Sequence, residues 1–243
     1  MLVFACETSC DETSICLMED NNIIDHIIFS QEIHNKHGGV VPELASRSHL
    51  HKLQEMTSDL FVKPYVDPQK IDLFTATCGP GLIGSLLVGS TFTKSLSLSY
   101  DKPFVPINHL EGHILSTSFN NKIEYPHLIL LITGGHTQIY LMKNNREVEL
   151  LGQSIDDAIG EVFDKTAKLL GLNYPGGIEI ERMANGGDEN YFEMPKPLIK
   201  ENNFNFSFSG IKTHINHLTK KNTLDKNFIK NISASFQKTV SEI

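Results

Sequence analysis

His127-Leu128-Ile129-Leu130-Leu131-Ile132-Thr133-Gly134-Gly135-His136-Thr137-Gln138-Ile139-Tyr140-Leu141-Met142 reads as an apolar strand, a glycine turn and a second strand. It repeats the plan of the head of the chain. Moving back 124 residues from Thr137, Ile139, Leu141 and Met142 reaches Thr13, Ile15, Leu17 and Met18. An asparagine-bearing turn follows in both copies, Asp20-Asn21-Asn22 and Asn144-Asn145, and each leads to a further apolar run, Ile23–Phe29 and Val148–Leu151. The pattern predicts an internal duplication of a strand meander, opening halves that span 1–124 and 125–243. Each copy has a first turn rich in Gly, Ser, Thr and Asp. Two lobes facing a cleft are therefore expected, each turn offering backbone N–H groups to a phosphate.

Outward from these meanders, Pro42–Asp59 has the spacing of an amphipathic helix, with Leu44, Leu50, Leu53, Met56 and the adjoining Leu60 as its apolar positions. Ile71–Thr77 reads as a buried strand, Gly79-Pro80-Gly81-Leu82-Ile83-Gly84 as a glycine-rich turn, and Ser85–Ser99 as a helix. Asp157, Glu161 and Asp164 share a helical face by spacing, either solvated or turned to the cleft. Tyr174-Pro175-Gly176-Gly177 should stop that helix, and its glycines would also let a backbone approach a ligand. Phe204-Asn205-Phe206-Ser207-Phe208-Ser209-Gly210 alternates as an edge strand or loop does, with the phenylalanines expected in the core. Phe228, Ile229, Ile232, Phe236, Val240 and Ile243 keep helical spacing to the last residue without a stop signal. That stripe predicts a helix that continues or packs on something beyond, and hence a C-terminally truncated chain.

The bulk properties bound the function. Hydrophobic residues at 40% and charged residues at 21% suit a globular protein of this length. No apolar run approaches the ~20 residues that span a bilayer, and the apolar start lacks the basic leader of a signal peptide. A cytoplasmic protein without a membrane is expected. The four cysteines, Cys6, Cys10, Cys16 and Cys78, form no C-x-x-C pair and read as free thiols. A net charge of −8 argues against a broad phosphate-binding surface. A nucleic-acid substrate would need a local patch or a basic partner.

His109-Leu110-Glu111-Gly112-His113 sets two imidazoles four apart, on one face of a helix. Neutral nitrogen donors at that spacing suit a divalent ion. With 11 histidines in 243 residues, about 0.5 such pairs arise by composition, so spacing alone is a weak signal. The zinc-peptidase pattern H-E-x-x-H is not matched, because Glu111 stands one place too late for its general base. No third ligand is evident. His136 follows the second glycine turn and is a candidate to lie near a ligand. His34, His37, His49, His51, His214 and His217 read as solvated surface. Asp11 and Glu12, in the first turn, are either turn residues or groups that hold a metal or substrate amine.

Nine motifs in order resemble one family, the universal tRNA N6-adenosine threonylcarbamoyltransferases, called TsaD in bacteria and formerly labelled glycoproteases. They are Glu7-Thr8-Ser9-Cys10-Asp11-Glu12-Thr13, Gly38-Gly39-Val40-Val41-Pro42-Glu43-Leu44-Ala45-Ser46-Arg47, Gly79-Pro80-Gly81-Leu82, His109–His113, Thr133-Gly134-Gly135-His136-Thr137, Ser154-Ile155-Asp156-Asp157, Phe163-Asp164-Lys165-Thr166-Ala167-Lys168, Tyr174-Pro175-Gly176-Gly177 and Phe206-Ser207-Phe208-Ser209-Gly210.

The resemblance implies an α/β fold of the actin-like, sugar-kinase-like (ribonuclease H-like) type, with duplicated lobes and the second incomplete. It implies transfer of an L-threonylcarbamoyl group from threonylcarbamoyl-adenylate to N6 of the adenosine beside the tRNA anticodon, in tRNAs reading codons that begin with A. By similarity His109 and His113 hold one divalent metal, usually Fe(2+), with Zn(2+) the alternative. Leu131, Ile132, Thr133, Gly134 and Gly135, with Asp164 and Gly177, match positions that hold the adenylate, and Glu181 aligns near one that touches the ribose. The implied partners are a TsaB-like paralogue and a TsaE-like ATPase. No general base is assigned; Asp11 and Glu12 stand nearest. The family continues past the position of Ile243 with an Asn-bearing glycine turn and a third ligand, an Asp, so weak metal binding and no activity alone are expected. Two other classes remain open: a non-catalytic paralogue that serves as a scaffold, and a metallopeptidase.

Overall fold

The computed structural model describes residues 1–37, 39–119 and 122–243. Gly38, which opens the second motif, lies outside them. The chain divides into two compact units, Met1–Lys122 and Ile123–Ile243.

The first unit is built on one mixed sheet. β1 (Leu2–Glu7), β2 (Glu12–Glu19) and β3 (Asn22–Ser30) form an antiparallel meander. β4 (Leu73–Gly79) and β5 (Phe104–Asn108) extend it in parallel from β1, giving the order β3-β2-β1-β4-β5. The long connections are α1 (Pro42–Phe61), between β3 and β4, and α2 (Ile83–Ser99), between β4 and β5. Helices are needed there because parallel strands require a crossover. Phe4, Ile15, Leu17, Leu53, Leu60, Ile71 and Phe74 form the core between sheet and helices. α3 (His109–Ser116) starts directly at the end of β5, where Asn108 Oδ1 accepts from the amides of Leu110 (2.8 Å) and Glu111 (3.3 Å).

The second unit carries a meander of β6 (His127–Ile132), β7 (Thr137–Asn144) and β8 (Glu147–Gln153). Its register repeats that of the first. Cys6 pairs with Ile15 and Leu130 with Ile139, a shift of 124 at both members of the pair. Four helices follow: α4 (Ile159–Leu169), α5 (Gly176–Ala184), α6 (Ser209–Lys221) and α7 (Lys226–Glu242). Their core holds Val162, Ile180, Ile211, Ile215, Ile232 and Phe236. The α/β class with a mixed sheet is as the sequence implied, and the parallel strands belong to the first unit among the described residues. No helix of the described residues is long and apolar enough to cross a membrane.

Five readings of the sequence need correction. α4 stops before Tyr174: Gly171 takes a left-handed φ of 71°, its amide bonds to the Lys168 carbonyl, and the Leu172 amide to that of Ala167. Gly176 instead opens α5. The stripe on α7 is not unspent, because Phe228, Ile232 and Phe236 are buried in the unit's own core, with Ile229, Val240 and Ile243 packed against it. Asp157 precedes α4 and so does not share a helical face with Glu161 and Asp164; it pairs with Lys212 and Lys165. His34 and His49 are buried, 1% and 0% exposed, and not solvated. His34 sits 2.9 Å from Gln31 Oε1; His49 meets the Thr13 hydroxyl at 2.8 Å and the Cys10 carbonyl at 3.0 Å. Of the three phenylalanines, Phe208 is buried and Phe206 stacks on it, while Phe204 is exposed. All four cysteines are free thiols.

Candidate functional site

In the first unit the chemistry gathers where β1, β4 and α3 end or begin. Strand β1 delivers Glu7 at its last position, and β5 delivers His109 at the first turn of α3. Glu7 Oε2 accepts from His109 Nδ1 at 3.2 Å and from the Thr77 hydroxyl on β4, while Oε1 accepts from the Ser9 amide. Burial opposes ionisation of Glu7, but the bonds from His109, Ser9 and Thr77 outweigh it and hold the carboxyl down at about 2. The carboxylate is therefore fixed by three elements. The Ser9 hydroxyl adds a contact to His109 Nδ1 at 3.2 Å.

With Nδ1 engaged by a carboxylate, the proton on that nitrogen leaves Nε2 of His109 as the lone-pair face. His113, one helical turn on, brings its Nε2 to 3.1 Å from that atom, and the rings meet edge to face with centroids 4.4 Å apart. Two nitrogens each 2.0–2.1 Å from a tetrahedral ion lie about 3.3 Å apart, so the Nε2–Nε2 separation is close to that of two ligands sharing one ion. The Glu7–His109 contact is the outer carboxylate that metal-binding histidines usually have. Among the described residues no group of three or more His, Cys, Asp or Glu side chains converges as a ligand set. Glu7 was missed in the sequence. Besides its place in the first motif, its signal there is a charge closing an apolar strand, and its partner is 102 residues away. Glu12, a candidate base, accepts from Ser30 across the β2–β3 pair at 2.9 Å, as a strand residue does.

The β1–β2 turn is held by close backbone approach. A Cβ on Gly81, whose φ is 157°, would stand 2.6 Å from the Ser9 carbonyl, and one on Gly89 would stand 2.1 Å from Thr8 Oγ1. α2 can press on this turn only with glycine at both places.

The second unit repeats the device. A Cβ on Gly160, in the first turn of α4, would lie 2.5 Å from the Thr133 carbonyl and 2.9 Å from Gly134 Cα. The β6–β7 turn thus rests directly on the start of α4. Thr133 Oγ1 accepts from the amides of His136 (2.9 Å) and Gly135 (3.3 Å), and the Thr133 amide bonds to the His136 carbonyl at 2.8 Å. Gly134 and Gly135 have open space where a Cβ would be. Leu131 is buried, so only its backbone can face a ligand; Ile132 is exposed.

Asp164 stands one turn beyond Gly160 on α4, on the same face. Its Oδ1 accepts from the Gly176 amide at 2.8 Å, and burial pushes its carboxyl up. A Cβ on Gly176 would stand 2.6 Å from Asp164 Cα, whereas Gly177 opens onto free space. Glu181 lies one turn after Gly177 on α5 and lines a cleft of about 800 Å³ between α5 and α7, together with Arg182, Asn185, Gln237 and Lys238. Gln237 Oε1 is buried there without a hydrogen-bond partner. The turn, Gly160, Asp164, Gly176, Gly177 and Glu181 therefore form one connected series through α4 and α5.

A family profile described as "TsaD: tRNA N6-adenosine threonylcarbamoyltransferase" matches residues 22–243. A protein of Thermosipho africanus named tRNA N6-adenosine threonylcarbamoyltransferase is 47% identical over 249 residues, covering 100% of this chain and 74% of its own length. One of the same name from Pelagibacter ubique is 44% identical over 248 residues, covering 100% and 69%. Among solved structures, component A of the (R)-2-hydroxyglutaryl-CoA dehydratase of Acidaminococcus fermentans is similar with a TM-score of 0.49 and 11% identity, over 99% of this chain and 77% of that one.

Proposed function

The chain belongs to the TsaD family of tRNA N6-adenosine threonylcarbamoyltransferases, and on that premise we propose the following division of labour for its residues. The protein is an acyltransferase acting on tRNA. The N6 amine of the target adenosine attacks the carbamoyl carbon of threonylcarbamoyl-adenylate. The new C–N bond forms, the anhydride C–O bond breaks, AMP leaves with the electron pair, and the N6 proton is given up. The leaving group is good, so the enzyme's task is to grip the donor and stabilise developing negative charge.

His109 and His113 hold one divalent ion, Fe(2+) first and Zn(2+) second. A bound ion supplies Lewis-acid polarisation. Glu7 is a positioning residue that fixes the His109 tautomer and ring. Thr133, Gly134 and Gly135 hold the donor's phosphate through backbone N–H groups, with the backbone of Leu131 and Ile132 leading into the turn. Asp164 and Gly177 position the nucleoside, and Glu181 reaches its ribose. The unpartnered Gln237 Oε1 beside Glu181 supports a polar ligand in the cleft between α5 and α7. The chain acts in the cytoplasm, with a TsaB-like paralogue and a TsaE-like ATPase.

The observation that carries the metal reading is the 3.1 Å approach of two imidazole nitrogens, one of them backed by a carboxylate. It also speaks against a non-catalytic scaffold, which has no use for a metal pair. The chain alone should give no modified nucleoside, and its reconstitution with the two partner proteins, unmodified tRNA and threonylcarbamoyl-adenylate tests whether they restore it. Loss of that product in His109→Ala and His113→Ala supports the reading, and full activity in both overturns it.

A further inference from the structure

A charge of −8 is an odd endowment for a protein that must hold a polyanion. The basic residues are unevenly distributed. Met1–Lys122 has 8 Lys+Arg against 14 Asp+Glu, and Ile123–Ile243 has 13 against 15. Within the second unit, residues 202–224, which contain α6, have no Asp or Glu at all.

α4 and α6 pack side by side, and between them lies a depression of about 360 Å³ lined by Lys165, Lys168, Leu169, Lys212, Thr213 and Asn216. Its lining is mostly apolar, with Leu169 among the three lysines. Thr213 and Asn216 supply a hydroxyl and an amide. Lys220, one turn after Asn216 on α6, is exposed and prolongs the same face, with His217 beside it. Two carboxylates oppose these four lysines. Asp157 takes Lys212 and, at 3.6 Å, Lys165; Glu161 takes Lys165 at 2.6 Å. These pairs fix two ammonium groups at the rim. Lys168 is exposed at the surface, like Lys220.

We propose that this α4–α6 face is where the second unit docks the phosphate backbone of its tRNA. The inference rests on the tRNA reading above and adds a location to it. A lysine-rimmed depression with an amide and a hydroxyl matches phosphate and ribose 2′-OH contacts, which position RNA without reading its bases. The apolar lining gives a ribose or base a surface to lie on. The positive charge is local, so the acidity of the remaining surface repels RNA from other orientations and favours this one.

The test is binding of an unmodified tRNA transcript that reads a codon beginning with A, measured by fluorescence anisotropy over a range of salt. Lys168→Glu with Lys220→Glu should weaken binding at least tenfold. It should also make the slope of log K against log salt shallower by about two. Lys168→Ala with Lys220→Ala should give a smaller loss in the same direction. Lys70→Glu, on the first unit, should leave affinity within twofold, and circular dichroism should show all variants folded. Tight tRNA binding by the wild type that the α4–α6 variants leave unchanged overturns the docking face and leaves the enzymatic reading intact. A wild-type chain that binds no tRNA by itself overturns the docking face, and one that binds none with its two partner proteins present overturns both.

Discussion

Glu7 Oε2 and His109 Nδ1 meet at 3.2 Å, joining the last residue of β1 to the first of α3. The contact turns a helical histidine pair into an oriented donor set. Glu7→Ala removes the acceptor and frees the His109 ring to rotate. Metal affinity should fall 10- to 100-fold, the usual effect of losing such a carboxylate. Competition with a chromophoric chelator measures it; wild-type affinity in Glu7→Ala would show that the carboxylate plays no part.

Gly160 has no room for a side chain, because the Thr133 carbonyl would lie 2.5 Å from its Cβ. Gly160→Ala should shift the Thr133–Gly135 turn while α4 stays folded. Affinity for a non-hydrolysable threonylcarbamoyl-adenylate analogue is expected to fall at least tenfold, about 1.4 kcal/mol. Calorimetry with the analogue checks this, and an unchanged affinity would separate the turn from donor binding.

Buried His49 is held neutral. Burial lowers its proton affinity more than the Cys10 carbonyl and the nearby Glu7 and Asp11 charges raise it. Its folded pKa is therefore below the unfolded value near 6.5. The unfolded chain binds the proton more readily, so the stabilisation is fully present above about pH 6.5 and declines as pH falls towards the folded pKa. His49→Ala also strands the Thr13 hydroxyl and takes one partner each from the Gln31 amide, which keeps the Ala45 carbonyl, and from the Cys10 carbonyl, which keeps the Ser85 hydroxyl. It should cost about 2–4 kcal/mol at pH 7.5. Chemical denaturation at pH 7.5 and 5.5 should show a smaller pH dependence in His49→Gln than in the wild type; an equal dependence would assign it elsewhere.

Asp156 holds the start of α6 from outside that helix. Its carboxylate accepts from the amides of Phe208 (2.8 Å) and Ser209 (3.4 Å) and from the hydroxyls of Ser207 (2.5 Å) and Ser209 (2.8 Å). Desolvation raises its pKa, but these bonds prevail and the net shift is downward. The contribution is therefore present above the unfolded Asp value near 3.9 and disappears as pH drops through the lower folded value. Asp156→Ala should lose about 1–2 kcal/mol at neutral pH, the scale of a helix cap, and the loss should vanish in acid. A thermal melt series from pH 7 to 3 reads both parts.

Much of the scaffold could be read because local pattern and tertiary structure agree. The hairpin pairs Cys6–Ile15 and Leu130–Ile139 follow from alternation and turn chemistry, which lie within a few residues. The four-residue spacing of His109 and His113 made their shared face visible. The signals that failed are those carried by distant neighbours. His34 and His49 looked like surface residues because nothing adjacent says that Gln31, Thr13 and the Cys10 carbonyl will enclose them. Glu7 stood in the first motif without a role because its partner, His109, comes from the start of α3. α7 seemed unspent because the residues packed against it, Phe163 of α4 beside Phe236 and the face of α5, are distant in sequence. Gly171 ended α4 ahead of the more conspicuous Pro175-Gly176-Gly177, since a left-handed glycine needs no proline to stop a helix.

The central claim is that His109 and His113 bind one ion together. Titration of the metal-free chain with Co(2+), followed by its visible ligand-field absorption, measures this directly. One equivalent should bind with imidazole ligation, and either His109→Ala or His113→Ala alone should abolish the signal. Undiminished one-equivalent binding in either variant would contradict the account.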